Sequence, residues 1–174
     1  MKIAIVGAHR VGKTSLAEAL LEHLPGYTLE MEPYYKLEES GYAFSEIPVV
    51  DDFLAQIKYS VKQVANGGDN VIFDRCAIDI LAYIHAIDKD IHIQSLFEAA
   101  QTSIEAINLL VFVPVEVPDL ISVTKSDWPK LRRTVNDLLG EWIGDLGVKV
   151  IEVSGTLTDR RDQVLSQIDT ANRS

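Results

Sequence analysis

Residues 3–17 read Ile3-Ala4-Ile5-Val6-Gly7-Ala8-His9-Arg10-Val11-Gly12-Lys13-Thr14-Ser15-Leu16-Ala17. Gly7 to Thr14 satisfies G-x-x-x-x-G-K-[ST], the P-loop pattern. The apolar run 3–6 predicts a buried strand, and Ser15 to Leu21 predicts a helix with apolar residues on one face. Strand, glycine loop and helix form the context in which this motif holds phosphate. The glycines let backbone N–H groups curl around a polyphosphate, and the helix N-terminus adds the positive end of its dipole. Gly7, Ala8, His9, Arg10, Val11, Gly12, Lys13, Thr14 and Ser15 are therefore the expected nucleotide-binding residues. Lys13 is expected to reach the β- and γ-phosphates, and the Thr14 hydroxyl to help hold Mg²⁺.

Outward from this loop, short apolar runs alternate with longer amphipathic ones, the pattern of a parallel sheet wrapped by helices. Strands are expected at 2–6, 27–32, 70–74, 108–114 and 148–153, and helices at 13–24, 50–66, 77–87, 92–106, 129–145 and 158–171. The expected fold is a P-loop α/β three-layer sandwich: one domain over 1–174, with a five-stranded parallel sheet and helices on both faces. Asp51-Asp52 gives one helix an acidic first turn, and Asn66-Gly67-Gly68 suits a left-handed cap at its end. Pro129 fits the first turn of another. The stretch from Val115 to Trp128 is long and irregular and precedes Lys130, Arg132 and Arg133, so a lid is expected over about 115–133.

The bulk composition narrows the partners. At 174 residues and a net charge of −10, the chain has no basic surplus for general nucleic-acid binding. Lys13, Arg75, Lys130, Arg132 and Arg133 remain able to converge on one triphosphate. A single cysteine, Cys76, excludes an intrachain disulfide and fits a reducing compartment. With no apolar run long enough to span a membrane and no room for a signal peptide before the first strand, a cytoplasmic location is expected. His9, His23, His85 and His92 lack metal-ligand spacing with cysteine or one another.

Two acidic positions carry further chemistry. Val71-Ile72-Phe73-Asp74 is an apolar strand ending in an acid, which places Asp74 to orient Mg²⁺ together with Thr14. Arg75 follows and can face phosphates or pair with Asp79, four residues on. Glu30 and Glu32 close the second strand on one face. Glu32, nearer the strand end and followed by Pro33, is the expected base that takes a proton from an attacking hydroxyl.

Taken together, the P-loop, Glu32-Pro33, Asp74-Arg75 and the basic helix after the lid-like loop resemble the nucleoside and nucleotide kinase group of P-loop proteins. The run Val71 to Arg75 with Asp79 and Tyr83 looks most like the AAA-domain ATPase/kinase family that includes NadR-type ribosylnicotinamide kinase domains. Glu32-Pro33 is similar to the Glu-Pro element of deoxynucleoside kinases. The resemblance implies transfer of a phosphoryl group from Mg-ATP to a nucleoside or nucleotide, with Lys13, Glu32, Arg75, Arg132 and Arg133 as catalytic residues. Arg132 and Arg133 would be lid arginines, and Phe53, Gln56 and Asp79 would meet the acceptor. The donor base would lie near Gly155 to Arg160. Two departures stand out: Pro118-Asp119-Leu120-Ile121 lacks the arginine expected of the turn after the fourth strand, and Cys76 replaces a serine.

Two other functions are compatible with the motif. Leu120 to Asp127, holding Thr124-Lys125-Ser126-Asp127, looks like the guanine-selecting element of GTPases, and Glu152-Val153-Ser154-Gly155 looks like their last guanine loop. Against a GTPase switch, Asp74-Arg75-Cys76-Ala77 lacks the glycine that such proteins place after the acid. GTP in place of ATP stays open at this point, as does a regulatory ATPase that reads nucleotide state without any acceptor.

Overall fold

The computed structural model describes residues 1–119, 121 and 124–172. Five parallel strands form one sheet in the order β2-β3-β1-β4-β5: β1 Lys2–Val6, β2 Thr28–Glu30, β3 Val71–Asp74, β4 Leu109–Phe112 and β5 Val150–Glu152. β1 lies at the centre, with Ile3 opposite Ile72 of β3 and opposite Leu109 of β4. From β1 the chain builds one side of the sheet, then crosses to build the other. The loop after β1 therefore sits at the topological switch point, where open α/β sheets bind ligands.

The described helices are α1 Lys13–Leu21, α2 Pro33–Glu39, α3 Val50–Asn66, α4 Ala77–Ile87, α5 Gln94–Ile104, α6 Pro129–Trp142 and α7 Leu157–Asn172. α1 packs on α7, whereas α4 packs on α3, α5 and α6. The central strands are apolar because both faces are covered: Ile3, Ala4, Ile5, Val6, Leu110 and Val111 have no exposed surface. α4 is apolar almost all round, and eight of its residues, Ala77 to Ile84, are buried.

Four sequence expectations change. α2 was not anticipated, and β2 ends at Glu30, so Glu32 is the residue that precedes a helix rather than part of a strand face. Glu30 instead lies by Gln63, whose Nε2 approaches its carboxylate at 3.4 Å. Gly67 ends α3 in an extended conformation (φ −64°, ψ 142°), not a left-handed one. Its reason for being glycine is space, since a Cβ would lie 2.8 Å from the Phe73 ring. Pro129 does open α6, preceded by Trp128 at φ 50°, and the last turn expected of that helix is a 3₁₀ turn, Ile143–Asp145. No helix among the described residues is long and apolar enough to cross a membrane.

Candidate active site

The phosphate loop is fixed by backbone constraints. Gly7 has φ 156°, and a Cβ there would lie 2.4 Å from the Val113 carbonyl oxygen, so the turn out of β1 requires glycine. Gly12 caps α1 at φ 89°. Between them, Arg10 takes φ 54°, a conformation that favours glycine and persists only where the surroundings enforce it. Arg132 of α6 supplies that enforcement. It is buried, donates from Nε to the His9 carbonyl and from Nη2 to the Arg10 carbonyl, both at 2.9 Å, and pairs with Asp119 at 2.5 Å. Arg160 of α7 does the same further along, donating to the Val11 carbonyl at 2.7 Å while paired with Glu116 at 3.1 Å.

Lys13 is buried and its Nζ donates to the Ala8 carbonyl at 2.7 Å. Burial, then the nearby Arg75, lowers its pKa to about 8. Thr14 Oγ1 donates to Asp74 Oδ2 at 2.6 Å, which joins the two expected metal-holding residues across the tops of β1 and β3. The other Asp74 oxygen, Oδ1, is buried without a hydrogen-bond partner among the described residues. Burial raises the Asp74 pKa, with the Thr14 bond opposing. An orphaned carboxylate oxygen beside a hydroxyl is a donor set that fits a hard divalent cation such as Mg²⁺.

Next to this pair, Arg75 takes φ 79° and donates its N–H to the Ile5 carbonyl at 2.9 Å. Its guanidinium lies 2.7 Å from Glu32 Oε1, 3.9 Å from Asp79 Oδ2 and 5.1 Å above the Tyr83 ring. The Glu32 contact is close but poorly aligned as a hydrogen bond, so attraction of charges holds it. Burial opposes the charge on Arg75, but Glu32, joined by Asp79 where that carboxyl is ionised, outweighs burial and keeps the guanidinium protonated. Asp79 has no exposed surface, accepts the Cys76 N–H at 3.1 Å, and is pushed up to about 7, mainly by burial.

Glu32 and Arg75 form one end of a cavity of about 250 Å³. Phe53 and Gln56 of α3 and Tyr83 of α4 line it, with Phe53 and Tyr83 stacked at 4.9 Å and 3°. Residues 44–48 border it as a strap between α2 and α3. Asp52 anchors that strap, accepting from Tyr42 Oη at 3.1 Å and from the Ser45 N–H at 3.0 Å. His9 joins the cavity to the phosphate loop. Its N–H donates to Tyr83 Oη at 2.6 Å, and its Nδ1 lies 2.7 Å from the same oxygen. Nε2 faces the Asp127 carbonyl, which can only accept, so in the neutral ring the proton sits on Nε2, Nδ1 is the acceptor and Tyr83 Oη donates to it. Burial, the largest cause, lowers the His9 pKa and favours this neutral form.

The sequence profile of a family described as AAA domain matches residues 2–160. The chain belongs to this AAA-domain family. No curated protein matches it. Solved structures share the fold over nearly its whole length. Thymidylate kinase from Ehrlichia chaffeensis superposes with a TM-score of 0.72 at 15% identity, covering 97% of this chain and 98% of that one. Deoxyadenosine kinase from M. mycoides, with products dCMP and dCDP bound, gives 0.65 at 14% identity, covering 98% and 100%. NadR protein in complex with NR gives 0.70 at 17% identity, covering 95% of this chain and 48% of that protein. The fold is thus that of the P-loop nucleoside and nucleotide kinases.

In this AAA domain the expected site residues fall into three groups. Thr14, Asp74, Lys13, Arg75, Glu32 and Asp79 converge between the tops of β1 and β3, and Phe53 and Gln56 line the adjoining cavity. Arg132 reaches the P-loop through its carbonyls, while Arg133 is exposed on α6. Ser15 is also exposed, and Ala8 and Val11 are buried as loop packing. Of the guanine-like stretch, Leu120, Ser122 and Val123 lie outside the described residues. Asp127 caps its own turn through the Thr124 N–H at 2.7 Å and pairs with Arg10 at 2.7 Å, so its carboxylate is already engaged. Sequence reasoning missed Asp52, Tyr34, Phe44 and Trp128 as cavity and strap residues. The helical spacing Asp79-Tyr83 was a usable signal for Tyr83.

Proposed function

We propose that the protein transfers the γ-phosphoryl group of ATP to a hydroxyl of a small acceptor, a nucleoside or nucleotide, held in the cavity beside the P-loop. The observation that carries this reading is the Glu32–Arg75 pair, which joins an aromatic-lined cavity, open on one side, to the Thr14–Asp74 and Lys13 end of the phosphate loop. A nucleotide switch or sensor has no need of such a cavity.

In-line transfer asks for positioning and charge stabilisation more than covalent chemistry. The backbone N–H groups of residues 7–14 would hold the triphosphate, and Lys13 would turn from the Ala8 carbonyl to its β- and γ-oxygens. Thr14 and Asp74 would hold Mg²⁺, which when bound supplies charge neutralisation at the phosphate oxygens. Glu32 accepts the acceptor's proton, and Arg75, held by Glu32 and Asp79, braces the transferring group at the cavity mouth. Arg132 keeps the P-loop carbonyls turned away from phosphate by binding them.

The reading is tested by measuring thermal shift and ADP release with Mg-ATP or Mg-GTP, with and without a nucleoside and nucleotide panel. Acceptor-stimulated ADP release is the expected result. Slow hydrolysis with strong GTP preference and no acceptor effect would replace it with the switch reading.

A further inference from the structure

The chemistry of the cavity narrows the acceptor. We infer that the acceptor enters without a phosphate group, as an unphosphorylated nucleoside rather than a nucleoside monophosphate. This rests on the kinase reading and selects between the two acceptor classes left open there.

Charge is the first argument. Among the described residues, the lining carries Glu32, Glu46 and Asp52 against a single cation, Arg75. That cation is not free, because Glu32 lies at 2.7 Å, Asp79 at 3.9 Å, and the Tyr83 ring covers one face. A phosphate dianion is ordinarily held by forked arginine contacts or a cluster of cations with no carboxylate competing. Here it would enter a site where acids outnumber guanidinium groups and would have to displace Glu32 to reach the guanidinium.

The neighbouring cations do not change the balance. Arg10 is paired with Asp127 at 2.7 Å, and Arg132 is committed to Asp119 and two carbonyls. Lys130 and Arg133 are exposed on α6 and do not line the cavity.

Shape and polarity agree with this. The volume of about 250 Å³ lies just below the roughly 300 Å³ at which pockets for drug-sized ligands begin, so the acceptor is small. Phe53 stacked on Tyr83, and Phe44 stacked on Tyr34 at 4.2 Å, supply flat apolar walls for a ring system. At the end nearest the P-loop, the Glu32–Arg75 pair suits a hydroxyl: the carboxylate accepts its hydrogen and the guanidinium faces its oxygen.

The test compares each nucleoside with its own 5′-monophosphate, using the full chain, Mg-ATP, ADP release and mass detection of product. The nucleoside of the preferred base is expected to exceed its monophosphate in kcat/KM by about 100-fold or more, the size of penalty that like-charge juxtaposition imposes. Equal or better use of the monophosphate overturns the inference and leaves the kinase reading standing. Mg-ATP binding with no acceptor of either class turned over removes the kinase reading, and the inference with it. Glu46→Arg separates charge from fit. It should raise kcat/KM for the monophosphate relative to the nucleoside by about tenfold, as a rim cation would. An unchanged ratio means that charge does not set the choice.

Discussion

Replacing Arg132 by alanine separates a brace for the P-loop from a lid arginine that touches the transferring phosphoryl group. The residue is 4% exposed, and its side chain donates to the His9 and Arg10 carbonyls at 2.9 Å each and to Asp119 at 2.5 Å. Charged hydrogen bonds contribute about 1.5–3 kcal/mol each, and the two loop carbonyls are the buried partners. Asp119 is 31% exposed in its side chain and regains water, so its share is only about 1 kcal/mol. Water entering the vacated space recovers part of the rest, which leaves an expected loss of about 3 kcal/mol. For a domain of this size that corresponds to a fall in Tm of roughly 6–12 °C.

Urea unfolding gives the stability, and steady-state kinetics give the split between KM and kcat. Arg132→Ala should raise KM for ATP more than it lowers kcat, because loop geometry is lost before any contact with the transition state. Arg132→Lys keeps the charge without the fork and should fall between. A variant as stable as the parent, with kcat reduced by about 100-fold and KM unchanged, would show that Arg132 acts on the phosphoryl group and that the brace account is wrong.

Three further perturbations address other parts of the site. Glu32→Gln should leave Mg-ATP binding within about twofold and lower acceptor turnover by about 10²–10⁴, a loss measured by single-turnover transfer; unchanged transfer would remove Glu32 from the mechanism. Gly7→Ala places a Cβ 2.4 Å from the Val113 oxygen, so thermal melts should show destabilisation and ATP affinity should fall; a variant with parental affinity would mean that the loop relaxes freely. Asp79, pushed up to about 7 against an unfolded value near 3.9, keeps a proton in the folded state that the unfolded chain gives up. Its stabilising contribution is therefore full below about pH 4 and lost as pH rises through about 7. Urea melts at pH 5 and pH 8 should show the parent losing more stability than Asp79→Asn, and equal losses would contradict the assignment.

The P-loop half of the molecule was legible because its signals are local. A buried strand, glycines at two tight positions and a helix follow one another within residues 3–17, and Asp74-Arg75 ends a strand of unmistakable apolar character. The cavity was less so. α2 is short, opens on Pro33 immediately after Glu32, and has too few turns for a period to show. The strap residues Phe44, Ile47 and Pro48 face a cavity rather than the main core, so no helix or strand pattern marks them. Arg132 was read as a lid cation because nothing in a basic helix announces partners far away in sequence, the carbonyls of His9 and Arg10. Gly67 shows the reverse error: a glycine at a helix end suggested a turn conformation when the constraint was the Phe73 ring beside it.

The most direct test of phosphoryl transfer at this site is to follow the label from γ-labelled Mg-ATP in the presence of the best acceptor. The expected result is label in an ester of the acceptor, absent with Lys13→Ala. Label released only as inorganic phosphate, at a rate indifferent to acceptor, would contradict the kinase account.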